Sequence, residues 1–466
     1  MKTTAPLGKT IFNIVDFGAI GDGVTNATAP IRQALEACHG HGNGVVVVPE
    51  GRFLIGPLYL KSNVHLHLEK GAVLLGSDNP ADYPQWESRR IHAAAAPYNS
   101  RSLFFSEDEE NITLSGEGTI HGNGDVFYDR SDPSLKWWPV IDRAVRPGRM
   151  LFFALCRNVE IRTLTFLEAP AWTFWMFGCE DVRFHGVTIR TNPKAINTDG
   201  IDIDACRNVH ISHCDISAGD DAIVLRNIWR VFNPGSTETS RTGLGFGPRP
   251  CEQVTVENCR LQSWCNTIRL SYLRDGVIRN ATFRNIDIVD SNRGIICQIP
   301  THRQTPESQR NPNAKEPPTG EGPIVENIHF SNITVEAVQP LWFYVADEAV
   351  LRRVGNVTFE NVTFRGRHHS LIKGNRTIPT DQILLRNVSF IQGEHQSATV
   401  HNPFGGQEEA AHLHLCDIRG VSLQNVHFGG DIPAHADDIP VIRLDRVNAA
   451  EFGQVTNTTR FALTRA

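Results

Sequence analysis

The sequence lacks several features that would fix a protein's class at once. It has no uninterrupted apolar run near the roughly 18 residues a membrane-spanning helix needs, so no membrane partner is expected. It has no basic excess: 45 Lys and Arg stand against 51 Asp and Glu, a net charge of -6. That balance argues against nucleic acid as a partner, although a local basic cleft for a polyanion is compatible with it. Its ten cysteines form no Cys-x-x-Cys pair, so no metal or cofactor is expected and the thiols read as buried and reduced. The opening stretch Met1–Thr10 carries no apolar core of a secretory leader. The expected location is therefore cytoplasmic, or secreted or periplasmic if a leader has been removed. Nothing in the composition bears on oligomeric state.

What is present is enough to build a large core: 466 residues, 40% hydrophobic and 21% charged, an ordinary globular balance. The dominant pattern is an internal repeat. A turn residue, often Asn, precedes an apolar-polar-apolar triplet, as in Asn158-Val159-Glu160-Ile161, Asp181-Val182-Arg183-Phe184 and Asn208-Val209-His210-Ile211, with steps of 23 and 27 residues. Later copies begin at Gln253, Asn327, Asn356, Asn387 and Gly420, and second short strands such as Val187-Thr188-Ile189 and Val362-Thr363-Phe364 follow. Short β-branched strands at a period in the twenties predict a solenoid, in which each coil buries its apolar face only against its neighbours. The Leu-x-x-Leu-x-Leu pattern of leucine-rich repeats and the periodicity of α-solenoids are both missing. The expected fold is all-β, a parallel β-helix occupying residues 1–466 as one domain.

The N-terminal part reads differently. Residues up to about 40 are expected to cap the open end of the solenoid, with a strand over Ile11–Phe17, an amphipathic helix over Ala29–Cys38 presenting Ile31 and Leu35, and then a buried strand at Gly44–Val48. Two inserts, 229–250 and 300–323, interrupt the repeat and are expected to wall a cleft.

The densest acidic cluster is Asn197-Thr198-Asp199-Gly200-Ile201-Asp202-Ile203-Asp204, followed by Gly219-Asp220-Asp221. From Asp199 to Asp220 is 21 residues, and to Asp221 it is 22. That distance is one coil, so the two segments are expected side by side. Grouped carboxylates repel, which keeps a proton on one member and leaves another ionised. Such a pair suits protonation of a glycosidic oxygen and activation of water. Asp202, Asp204 and Asp215 are expected only to cap turns.

Together, Asn197-Thr198-Asp199-Gly200 and Gly219-Asp220-Asp221 resemble glycoside hydrolase family 28, the polygalacturonases and rhamnogalacturonan hydrolases. Val15-Asp16-Phe17-Gly18-Ala19, Gly118-Thr119-Ile120-His121-Gly122 and Pro170-Ala171-Trp172-Thr173 extend the likeness over most of the chain. The resemblance implies a right-handed parallel β-helix and inverting, metal-free hydrolysis of a pectic poly- or oligosaccharide. Asp220 takes the place of the general acid, and Asp199 and Asp221 those of the residues that hold and deprotonate water.

Two departures bear on the substrate. The family's Gly-His-Gly is replaced by Ser263-Trp264-Cys265-Asn266-Thr267, with Asn266 nearest the histidine position. The Arg-x-Lys that grips a sugar carboxylate aligns with Ile296 and Gln298. Arg226, Arg269 or Arg293 is expected to take over that carboxylate, or else to be a solvated strand-edge residue. Asn197, Trp264, Asn266 and Gln298 complete the expected substrate contacts, while Trp175 is expected in the core. Weak cleavage of unsubstituted galacturonan is predicted, and the inserts suggest exo action. The alternatives on the same fold are a lyase, which needs a basic residue to take the proton beside a uronate carboxylate, usually with Ca2+ neutralising that carboxylate, and a non-catalytic glycan-binding β-helix.

Overall fold

The computed structural model describes residues 9–86, 88, 101–227, 241–244, 249–273, 276–299, 322–347, 349–393, 412–430, 442–457 and 463–465. Most of both inserts lies outside the described residues, and with it the expectation that they wall a cleft. The fold is the all-β, right-handed parallel β-helix expected. The chain divides into two compact units, Met1–Asp220 with Trp229–Pro248, and Asp221–Ile228 with Arg249–Ala466.

In the first unit the expected helix runs over Thr28–His41 and buries Ile31, Ala34, Leu35 and Cys38, ending at Gly42 in the left-handed conformation. Gly44–Val48 follows as a wholly buried strand and pairs in parallel with Thr10–Asn13. The strand expected over Ile11–Phe17 stops early. The Asn13 side chain accepts the Val15 N–H and starts a 3-10 turn over Ile14–Phe17, which Gly18 closes at φ 92°. A side chain that satisfies a backbone donor locally competes with the ladder, and here it wins.

Three parallel ladders then build the coils. One runs through Ser102–Glu107, Arg149–Ala154, Trp172–Phe177 and Ile201–Asp204. A second links Glu110–Gly116, Arg157–Arg162, Glu180–His185 and Arg207–Ser212, and a third Thr119–His121, Thr165–Leu167, Thr188–Arg190 and Asp215–Ala218. Arg157 opposes Glu180, which opposes Arg207, so the sequence steps are the coil lengths.

The recurrent turn residue has a physical cause. Asn111, Asn158, Asp181 and Asn208 all sit at φ between 54° and 58°, a conformation that costs most L-residues about 1–2 kcal/mol and that Asn and Asp tolerate. Their side chains also bond up the stack: Asn158 Nδ2 donates to Asn111 Oδ1 at 2.7 Å. The only described part of the first insert near its middle, 241–244, is tied down. The Arg241 and Thr242 amides and the Thr242 hydroxyl donate to the buried Asp108 carboxylate at 2.8, 3.1 and 2.9 Å.

The second unit continues the same scheme with fewer interruptions. Ile324–Val345 is one long strand that bends through Asn327 and Asn332, both left-handed, without losing its ladder. Asn285, Asn332, Asn361, Asn387 and Asn425 form a file of side-chain hydrogen bonds of 2.9–3.1 Å. Inside, Phe283, Phe330 and Phe359 stack at centroid spacings of 4.9 Å, and Phe364, Phe390 and Phe428 at 5.2 and 5.4 Å. That spacing is the strand separation of a parallel sheet, which places like residues over like.

Candidate active site

In the first unit, the segment before Ile201–Asp204 extends the ladder in irregular form. Thr173 N donates to Asp199 O at 2.8 Å and Phe174 N to Gly200 O at 3.0 Å. The register thereby fixes Asp199, which is 3% exposed, beside the Trp172–Thr173 step. Asn197 adopts φ 61°, which turns its backbone N–H onto Asp220 Oδ2 at 3.0 Å. Asp220 N in turn reaches Thr198 O at 3.4 Å. The expectation that the Asn197–Asp199 segment and Asp220 lie on adjoining coils therefore holds.

Gly219 is required there by close approach. A Cβ at this position would lie 2.2 Å from Asn192 O and 2.4 Å from Thr198 Oγ1, inside any allowed contact. The Asn197 loop is braced from behind by residues the sequence did not flag. The Tyr128 hydroxyl lies 2.7 Å from Ile196 O and 2.9 Å from Pro170 O, and Arg146 donates to that hydroxyl at 2.6 Å. Arg146 is 1% exposed; a lone arginine in a loop gives no sequence signal of such burial. Thr191 and Thr198 complete the brace, through Thr191 Oγ1 to Thr198 O and Thr198 Oγ1 to Ala195 O.

Asp202 and Asp204 do not cap turns as expected. They lie within the strand Ile201–Asp204, fully buried, because the parallel register sets them against Trp175 and Phe177. Trp175 Nε1 lies 3.3 Å from Asp204 Oδ2. Trp175 is also the core residue expected, stacked on Phe152 at 4.4 Å. Asp215 is bonded to Arg190 at 2.6 Å.

In the second unit, Asp221 is 1% exposed. Ala222 N donates to Asn266 O at 2.9 Å, and Val224 opposes Arg269 in the parallel ladder. The neighbouring strand Asn266–Leu273 supplies both partners of the carboxylate: Asn266 Nδ2 donates to Asp221 Oδ1, and Arg269 donates to Oδ2 at 2.7 Å. Burial by itself pushes the Asp221 carboxyl up. The Arg269 charge and hydrogen bond, the Asn266 amide and the Arg226 charge outweigh it, and the group is held below the usual carboxylate range.

Arg226, Arg269 and Arg293 are 1%, 6% and 3% exposed, so none is the solvated edge residue that was one of the two expectations. Arg293 opposes Asn266 in register, and its carbonyl accepts Thr267 Oγ1 at 2.8 Å. Gln298 is buried opposite Tyr344, while Trp264 is half-buried and its carbonyl accepts from Asn292 at 3.3 Å.

Among the described residues of this unit, donor atoms of His414, Cys416 and Asp445 lie within 4.8 Å of one another, close enough to share a metal ion. The counter-charges of this group are already protein cations. Arg443 stands 3.0 Å from Asp445 Oδ2, and Arg446 NH2 stands 3.1 Å from Cys416 Sγ, so an added cation meets repulsion there.

The Gly219-Asp220-Asp221 turn thus carries one half-exposed and one buried aspartate. Residues 38–366 match the family described as Glycosyl hydrolases family 28, and the chain belongs to it. Among related sequences, a probable polygalacturonase of Vitis vinifera is 28% identical over 61% of this chain. The chain spans 56% of that relative's length. An exopolygalacturonase of Zea mays is 24% identical over 73% of this chain and 81% of its own. Among solved structures, an exopolygalacturonase from Thermotoga maritima superposes with a TM-score of 0.62 at 19% identity, over 92% of this chain and 93% of its own.

Proposed function

We propose that the protein hydrolyses glycosidic bonds of pectic poly- or oligosaccharides with inversion, acting from a chain end. The observation that carries the reading is the construction around Asp220. A glycine that tolerates no side chain and a left-handed Asn197 aim one backbone N–H at its carboxylate, a degree of fixing that a solvent-facing turn does not need. In this reading Asp220 protonates the departing glycosidic oxygen. Water adds to the anomeric carbon, and Asp199, with Asp221, receives its proton. Arg226 and Arg293 are assigned to the sugar carboxylate, in the place of the family's Arg-x-Lys, and Asn197, Trp264 and Gln298 to further substrate contacts. End-on action is supported by the name of the maize relative, an exopolygalacturonase.

The test is mass analysis of the products from homogalacturonan and rhamnogalacturonan oligosaccharides, with Asp220→Asn as control. Products carrying one added water, shortened one unit at a time and absent with the variant, are expected. Unsaturated products would move the assignment to a lyase. Binding without turnover, unchanged in Asp220→Asn, would leave a glycan-binding protein. Homogalacturonan is expected to be the poorer substrate, since the residues that grip a plain galacturonate are replaced.

A further inference from the structure

Asp221 and Arg269 form an ion pair that water hardly reaches. Their side chains are 1% and 7% exposed, at 2.7 Å. Removing two charges from water costs several kcal/mol per ion, and such a pair persists only where the remaining hydrogen-bond capacity is met. Here it is met on both sides of the carboxylate, because Asn266 occupies the other oxygen. An arginine suits this position, because its guanidinium stays charged at any working pH, and with its Nη1 on one oxygen and Asn266 on the other the angle of the carboxylate is fixed as well as its charge. The ladder makes the contact rigid, since Arg269 opposes Val224 and Asn266 O accepts from Ala222 N.

From this geometry we infer that Arg269 is a positioning residue. It fixes Asp221 in one orientation and keeps it ionised, and it does not grip the sugar. The inference rests on the functional reading above, which puts Asp221 beside the attacking water. It also takes Arg269 out of the candidate sugar contacts, because a buried, ion-paired Arg269 is committed to the protein's own carboxylate. A carboxylate with one strong donor on each oxygen still has lone pairs to hold a water molecule. Its low basicity makes it chiefly a group that orients the water.

Two variants separate this from a substrate contact. In Arg269→Gln the buried Asp221 loses its counter-charge. The acid limb of the kcat/KM profile is expected to move up by about one pH unit or more, with kcat at least tenfold lower and KM for a uronate-bearing substrate changed by less than about threefold. Arg269→Lys, which keeps the charge, is expected to restore the position of the acid limb while recovering only part of kcat. Should the glutamine variant fail to fold, the lysine variant alone decides: an acid limb unmoved with kcat reduced supports the role. A KM raised more than tenfold with kcat and the acid limb unchanged, in either variant, overturns it.

The charge state of Asp221 is also read without turnover, by carbon-13 titration of aspartate-labelled protein with Asp221→Asn for assignment. In the parent protein the signal is expected to titrate below the ordinary range, and in Arg269→Gln above it; identical titration in both would refute the pairing. A parent protein inactive on every pectic chain but showing this titration difference would instead refute the functional reading alone.

Discussion

Phe330 is the sharpest test of how the second unit is held together. It is fully buried between Phe283 and Phe359, with centroids 4.9 Å away on each side and interplanar angles of 14° and 7°. Phe330→Ala removes the ring and leaves a void that the flanking strands cannot close, because the ladders on both sides fix their spacing. The loss is expected at about 3–5 kcal/mol. Phe330→Leu separates area from ring contacts. Leucine keeps most of the buried area, so a purely area-based core loses only about 1 kcal/mol. Two stacked ring contacts at about 0.5–1.5 kcal/mol each add about 1–3 kcal/mol to that. A chain of this size does not unfold in one step, so a single melting temperature is a poor readout. Native-state hydrogen exchange at the strand amides is the right one. Protection should fall most at Ile328–Phe330 and in the adjoining strands at Phe283 and Phe359. It should fall least at Ile442–Leu444, because repeat stability is dominated by nearest-neighbour terms. An alanine variant that loses less than about 1 kcal/mol of protection, or loses it evenly along the unit, would refute the stack as a local source of stability.

Two further outcomes are expected. His412 is buried against Phe428, with no hydrogen-bond partner for either ring nitrogen among the described residues, and burial lowers its pKa to about 4. His65, paired with Ser115, is lowered to about 3, chiefly by burial. In both cases the unfolded chain binds a proton that the folded one refuses. Stability is therefore complete above about pH 6.5 and falls as the pH drops towards those values, by up to about 3 kcal/mol for His412. His412→Phe should accordingly raise native-state hydrogen-exchange protection of the Leu413–Leu415 amides more at pH 5 than at pH 8, and an equal gain at both would count against a neutral buried imidazole. Asp108→Ala strands three donors of the Arg241–Thr242 segment, a loss of about 2–3 kcal/mol of local stability. Limited proteolysis near residue 241 should speed up markedly, and an unchanged cleavage rate would show that the anchor is not what holds the segment.

Much of this was written in the one-dimensional pattern. The β-helix follows from strands too short to stand alone and recurring every 23–27 residues, and the frequent Asn at its corners follows from a left-handed turn that Asn tolerates better than most residues. The helix was legible from its amphipathic face, and the pairing of the Asn197 segment with Asp220 from the repeat, since in a solenoid separation along the chain converts directly into neighbouring positions. Local competition escaped the pattern: Asn13 ends a strand that its apolar neighbours would have continued. So did burial of polar groups. Nothing in Ile201-Asp202-Ile203-Asp204 says that both aspartates are enclosed, because the aromatic side chains that cover them are contributed by a preceding coil. The arginines make the contrast plainest. Their identity and spacing come from the sequence, but a guanidinium looks the same there whether it faces solvent or not. Only the tertiary register, which puts Arg269 against Asp221 and takes both out of water, decided that Arg269 serves the protein's own carboxylate.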